Sequence, residues 1–284
     1  MRWQARQRRI LVDWLVDVQT HFKMSTETLH MAVVLVDRVW ALNPAVQPRR
    51  IQAMGAACLF VSAKFVETYA PGLNDMVWVC DWTYTKDELV EMELHVLKLL
   101  AFQVRAATPV SFISATLQAL GSATGLAHEA AVEMACYHAD LFLVQADSAG
   151  VSAAQVGAAA VVSSFFTLRS GIIPLKPVCF LCRVPEEATR RLVCRLQELH
   201  ASDHASGSTR RSPDQAARML HAVYERYSGP VVGTQPARTP PRTPIVTRCE
   251  CQQRRGACWW CRREECGSKL PAGAVEVVAT VCSH

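Results

Sequence analysis

Residues 49–65 read RRIQAMGAACLFVSAKF. Ile51, Met54, Cys58, Val61 and Phe65 recur at three- and four-residue spacing, which marks one face of a helix. The remaining faces carry Ala53, Gly55, Ala56, Ala57, Leu59, Phe60 and Ala63. A helix that is apolar nearly all round is a buried helix, and its small residues let neighbouring helices come close. The character changes abruptly at Lys64 and Glu67. The stretch predicts the central post of an all-helical bundle, with a charged end at the surface.

Working outward, the same spacing predicts a first helix over 6–22, with Ile10, Leu11, Trp14, Leu15, Val18 and Phe22 on its apolar face. The arginines Arg6, Arg8 and Arg9 and the acids Asp13 and Asp17 are expected around it. Ser25 or Thr26 can cap a second helix over 27–42, and Asn43-Pro44 ends it. After the turn Ala70-Pro71-Gly72 comes a short helix over 73–80. Thr85 then caps a fifth over 86–100, with Leu89, Met92, Val96 and Leu99 inward.

From Thr108 the pattern begins again. Pro109 opens a helix carrying Val110, Phe112 and Ile113, and 128–144 reads as a long apolar helix. Residues 152–168 form a second alanine-rich helix, about one hundred residues after the first. An amphipathic helix over 185–200 follows, and a short one over 213–227. The fold class is therefore all-α: two tandem five-helix units over 1–104 and 105–228, suggestive of duplication. Residues 229–284 read as a Pro/Thr-rich linker and a Cys-rich tail, expected to be disordered.

The chain has 284 residues, half of them hydrophobic, enough for two cores. Residues 1–228 carry 22 Lys+Arg and 21 Asp+Glu, a net +1, while 229–284 carry 8 and 4, a net +4. A near-neutral folded part offers no basic face for nucleic acid. The weakly polar run 153–168 is too short to span a bilayer, and no signal peptide opens the chain, so no membrane partner is expected and the protein reads as soluble and intracellular. No phosphate loop, dinucleotide glycine motif or HExxH sequence is present. No catalytic residues and no cofactor are expected. Six cysteines scattered through the helices read as thiols.

The order of residues on these helices resembles a cyclin box, that of the mitotic A- and B-type cyclins most of all. The resemblance is carried by 8–18 (RRILVDWLVDV), 27–33 (ETLHMAV), Asp37-Arg38, 62–65 (SAKF), Asp81, 83–86 (TYTK) and Met92-Glu93. In the second unit it runs through 140–143 (DLFL), the alanine-rich helix and 196–200 (LQELH). It implies two five-helix boxes that bind and activate a cyclin-dependent protein kinase, in the nucleus and cytoplasm. On the family pattern Lys64 and Glu93 are a charged pair that engages the kinase, with Phe65 and Phe102 lining the same contact. Read without the resemblance, such a pair on a solvated surface contributes about 0–1 kcal/mol. The resemblance also implies a docking groove for substrates and inhibitors, mapped onto Ile10, Leu11, Trp14, Asp17 and Gln52. Core packing of an amphipathic helix would equally account for Ile10, Leu11 and Trp14.

Several positions depart from the pattern. Gln7 stands in place of Met, Arg9 in place of a small residue and Asp17 in place of Glu, which predicts a more polar groove with a shorter acidic arm. Val66 replaces an acidic residue, and Trp82 replaces a small polar one. The sequence opens at the first helix of the first box, so the family's preceding helix and upstream degradation signal are expected to be absent. A cyclin-fold scaffold without kinase activation is the alternative. In the tail, Thr239 and Thr243 precede prolines and resemble kinase substrate sites. Cys249, Cys251, Cys258 and Cys261 have CxxC-like spacing that could hold zinc, although a cysteine-rich end without metal fits equally.

Overall fold

In the computed structural model the described residues are 2–47, 50–121, 128–168, 174–208 and 222–228. All of their regular structure is helical. The first five helices are α1 (Arg2–His21), α2 (Thr26–Leu42), α3 (Ile51–Val66), α4 (Leu73–Val79) and α5 (Lys86–Leu99). Their starts follow from local chemistry. Ser25 Oγ accepts the Thr28 N–H and so caps α2. The Gly72 N–H donates to Asp75 at the head of α4. Thr85 and Glu88 form a reciprocal capping box on α5.

As the alanine-rich stretch predicts, α3 is the post of this unit. It packs against α1, α2 and α5, and Ala53 to Leu59 are buried without a break. The approach of α1 is close enough that only glycine fits at one point. A Cβ on Gly55 would lie 2.6 Å from Leu11 Cδ1 and 3.1 Å from its Cγ. Gly55→Ala is expected to lower stability by about 1–3 kcal/mol through overpacking, read as a shift in the urea midpoint. Combined with Leu11→Ala, the loss should fall short of the sum of the two single losses, because the clash is then gone.

Arg8 differs from expectation. Instead of lying on the solvent side of α1, it is buried and makes four hydrogen bonds. Nε and Nη2 donate to the two carboxylate oxygens of Asp37 at 2.6 and 2.8 Å. Nη1 donates to the carbonyls of Leu143 and Gln145 at 3.1 and 2.8 Å. A guanidinium tolerates burial when its fork is matched in this way. This first compact unit thus comprises the described residues of 1–110 together with 143–151 and 222–226. Within it Thr108 Oγ1 donates to the Glu27 carboxylate at 2.7 and 2.8 Å. Arg226 donates to Thr26 Oγ1 at 2.8 Å.

The second unit is built from α6 (Pro109–Leu120), α7 (His128–Leu143), α8 (Ala153–Thr167), α9 (Leu175–Cys182) and α10 (Glu186–Ser208), apart from the few end residues that belong to the first. Here α8 takes the part of α3: every residue from Val156 to Thr167 is buried, and it packs on α9 and α10. No helix was expected over 175–182. The spacing Leu175, Val178, Cys179, Cys182 carries the signal, but Pro174 and Pro177 beside it read as breakers. Proline is tolerated in a first helical turn, which is where Pro177 sits. The helix α10 continues eight residues beyond His200. No glycine or proline stops it there, and Ser202 Oγ bonds back to the Glu198 carbonyl at 2.8 Å. Of the helix expected over 213–227, residues 213–221 lie outside the described residues; α11 (Ala222–Ser228) is its remainder.

Candidate functional site

Lys64 lies in the last turn of α3 and Glu93 in the middle of α5. The two helices pack together, and this brings the Lys64 ammonium onto the Glu93 carboxylate. The lysine also sits over the Phe60 ring, 4.2 Å from its centroid, an arrangement that holds a cation by the ring quadrupole. The lysine side chain is 43% exposed and the glutamate 15%. An ammonium has three donors, so Lys64 keeps donors for a second acceptor while paired.

Around this pair the surface is apolar. Phe65 is 55% exposed, and Val90 and Leu94 of α5 are 46% and 44% exposed. Val90, Glu93, Leu94 and Leu97 share one stripe of α5, while Leu89, Met92 and Val96 face the core. Phe102 is 62% exposed and has φ +58°, directly after Ala101 at +49°. Left-handed backbone disfavours a residue with a Cβ by about 1–2 kcal/mol, so the surroundings must hold it. They do so through Phe102 N–H to Leu97 O at 2.8 Å, Ala101 N–H to Lys98 O at 3.1 Å, and Arg38 Nη1 to Gln103 O at 2.8 Å. An exposed aromatic is thereby fixed on a strained, tied-down backbone. Such strain is concentrated at functional sites.

Glu67, just past α3, has a part that sequence reasoning missed. Its carboxylate accepts the Ser25 N–H at 2.7 Å, the Ser25 hydroxyl at 2.9 Å and the Thr28 hydroxyl. It ties the end of α3 to the start of α2. Burial raises its pKa, but the bonds from Thr28 and Ser25 outweigh that and hold it below the usual carboxylate value. A depressed folded pKa adds stability above the unfolded value of about 4.3, lost as pH falls through the folded pKa. Glu67→Gln is expected to flatten the fall of the urea midpoint on acidification below about pH 4.3 and to leave the rest of the profile in place. The only signal in the sequence was the abrupt polar turn at this point.

The groove residues separate by burial. Ile10 is 53% exposed, Asp17 is exposed, and Trp14 and Gln52 are half-buried. Leu11 is 4% exposed and packs on Gly55, so its part here is helix packing and not open surface. His21, one turn beyond Asp17, meets the Trp78 ring at 5.0 Å and 35°. It carries the exposed stripe of α1 on to α4.

Among the described residues no cluster of histidine, cysteine or acidic groups could hold a metal, and no helix is long and apolar enough to cross a membrane. Cys58, Cys80, Cys179 and Cys182 are buried thiols, and burial pushes Cys80 up to about 11. Thr239, Thr243, Cys249, Cys251, Cys258 and Cys261 lie outside the described residues.

Two helical units, each raised around a buried alanine-rich helix, define the cyclin fold. The chain has a TM-score of 0.62 to the crystal structure of a viral cyclin from herpesvirus saimiri, at 17% identity, covering 69% of this chain and 84% of that one. Residues 2–105 match the cyclin N-terminal domain. Cyclin-A2-3 of Arabidopsis thaliana is 31% identical over 231 residues, 81% of this chain and 49% of that protein. G2/mitotic-specific cyclin-B1 of Xenopus laevis is 33% identical over 164 residues, 58% of this chain and 40% of that protein. The chain belongs to the cyclin family and resembles its mitotic A- and B-type members. It spans about half the length, or less, of these curated relatives.

Proposed function

We propose that the chain is a regulatory subunit that binds and activates a cyclin-dependent Ser/Thr protein kinase in cell-cycle control, in the nucleus and cytoplasm. The observation that supports this reading is the Lys64–Glu93 pair beside the exposed Phe65, together with a second exposed aromatic, Phe102, held on a tied-down backbone just past α5. Charges at the centre of an apolar face fix register and orientation once a partner covers them. The name of the cyclin-B1 relative, G2/mitotic-specific, supports the cell-cycle assignment.

A protein kinase needs its strand lysine paired with a glutamate on its C-helix before ATP phosphates align. A rigid face pressed on that helix stabilises the inward state, and activation is the difference in affinity for the two kinase states. The buried α3 post and the α5 stripe supply such a face. The chain contributes no catalytic group. The stripe of Ile10, Trp14 and Asp17 with Gln52 would take substrate or inhibitor peptides, Asp17 facing a basic residue.

The test is a pull-down from cell extract with kinase activity assayed on the beads, comparing wild type with the Lys64→Ala, Glu93→Ala double variant. Circular dichroism checks that the helices are intact. Activity that is present with wild type and lost in the variant supports the reading, and mass spectrometry names the kinase. A well-folded wild type that brings down no kinase activity would overturn it in favour of a scaffold.

A further inference from the structure

The core of the second unit contains a polar cluster that the proposed kinase contact does not use. His138 of α7 is fully buried, and its Nδ1 has no hydrogen-bond partner among the described residues. Its Nε2 lies 3.4 Å from Thr167 Oγ1 of α8. The ring centroid is 5.4 Å from His200 of α10, itself fully buried, and 5.5 Å from Tyr137. His200 meets Tyr137 edge-on at 5.6 Å. Tyr227 of α11 meets Tyr137 at 5.0 Å and donates its hydroxyl to Asp140 at 2.7 Å.

We propose that the buried His138–His200 pair is an acid-triggered latch, in which proton uptake parts α10 from α7 and opens the second unit. The geometry leaves little to stabilise an imidazolium at His138, whose Nδ1 has no hydrogen-bond partner among the described residues and whose Nε2 meets the Thr167 hydroxyl. The titratable side chains described around the pair are Tyr137 and Asp140 on α7 and Tyr227 on α11. From α8, Thr167 Oγ1 meets His138, and Gln197 of α10 donates to Thr167 Oγ1 and to Ser163 Oγ. Asp140 is the carboxylate among them, and the Tyr227 hydroxyl already occupies its Oδ2. Two imidazolium rings at this separation in a buried core would repel each other strongly.

The sign follows from burial. Desolvation, and then the neighbouring His200, hold the pKa of His138 well below its usual value. In the opened state it titrates near the ordinary value of about 6.5. Below that pH the opened state binds more protons, so the closed state loses about tenfold in population per pH unit for each proton. Above it the latch stays shut.

Amide hydrogen exchange of the full chain, followed by mass spectrometry at pH 7.5 and 5.5 and corrected for the intrinsic rate, tests this. Peptides of α7 and α10 are expected to lose about tenfold in protection at pH 5.5, while those of α2 and α3 keep theirs. His138→Leu, which places an apolar group of similar reach there, is expected to keep α7 and α10 protected at pH 5.5. Unchanged protection in wild type, or equal loss in wild type and His138→Leu, overturns the latch. If His138→Leu does not fold, carbon-13 labelled histidine in wild type decides. A His138 ring that stays neutral in the folded signal down to pH 5.5 supports the latch, and one that titrates near 6.5 in the intact fold overturns it.

Discussion

Arg8→Ala is expected to cost the first unit about 3–5 kcal/mol, the range for breaking a buried ion pair from one side. The loss is large because it has two sources. Asp37 keeps its charge without the guanidinium, and the Leu143 and Gln145 carbonyls lose a donor. Against a total stability of about 5–15 kcal/mol, such a loss leaves much of the chain unfolded at moderate temperature. Arg8→Lys should recover only part of it, since one ammonium cannot serve two carboxylate oxygens and two carbonyls at once. Arg8→Met combined with Asp37→Leu should cost far less than Arg8→Ala, because no orphaned charge remains. Urea denaturation, followed by the fluorescence of Trp14, Trp40 and Trp78, measures all four proteins. A loss below about 1 kcal/mol for Arg8→Ala would place the arginine among ordinary surface ion pairs.

Phe65→Ala and Phe102→Ala are each expected to weaken kinase binding by about 2 kcal/mol or more, the size of an aromatic hot spot. That is roughly thirtyfold in Kd. Their effect on the fold should be small, about 0.5 kcal/mol either way, since both side chains are mostly exposed. Phe102→Gly separates the two parts of the argument. It removes the ring but suits the left-handed backbone, so it should bind as poorly as Phe102→Ala and fold at least as well. Calorimetric titration against the kinase, beside thermal melts, gives both numbers. Unchanged affinity in both folded variants would remove these rings from the contact and leave their exposure unexplained.

The two sites differ in how far they could be read beforehand. Lys64, Phe65 and Glu93 were named through the family pattern, which also gives Lys64 and Glu93 as a charged pair; the residues alone read as a solvated surface pair. The contact of Lys64 with Glu93, twenty-nine residues away, is a consequence of α3 packing on α5. Phe102 was visible as a family position, but its left-handed φ was not, because nothing in the neighbouring residues demands one: both it and Ala101 carry a Cβ. Leu11 was read as groove surface because one apolar stripe on α1 serves two faces, and only the approach of Gly55 decides which residue turns inward. Glu67 and Arg8 were read as surface charges, since a charge shows its burial only through distant partners.

The sequence by itself determined the all-helical class, the two repeated units and the posts at their centres. These follow from spacing along one chain, where three- and four-residue recurrence and runs of alanine specify a helix and its burial. Tertiary structure alone decided that Arg8 is an internal anchor and that Glu67 ties two helices. It also set His138 against His200 in a buried core. Each of these depends on contacts across tens of residues, and a side chain's charge state and partners are properties of what folds around it.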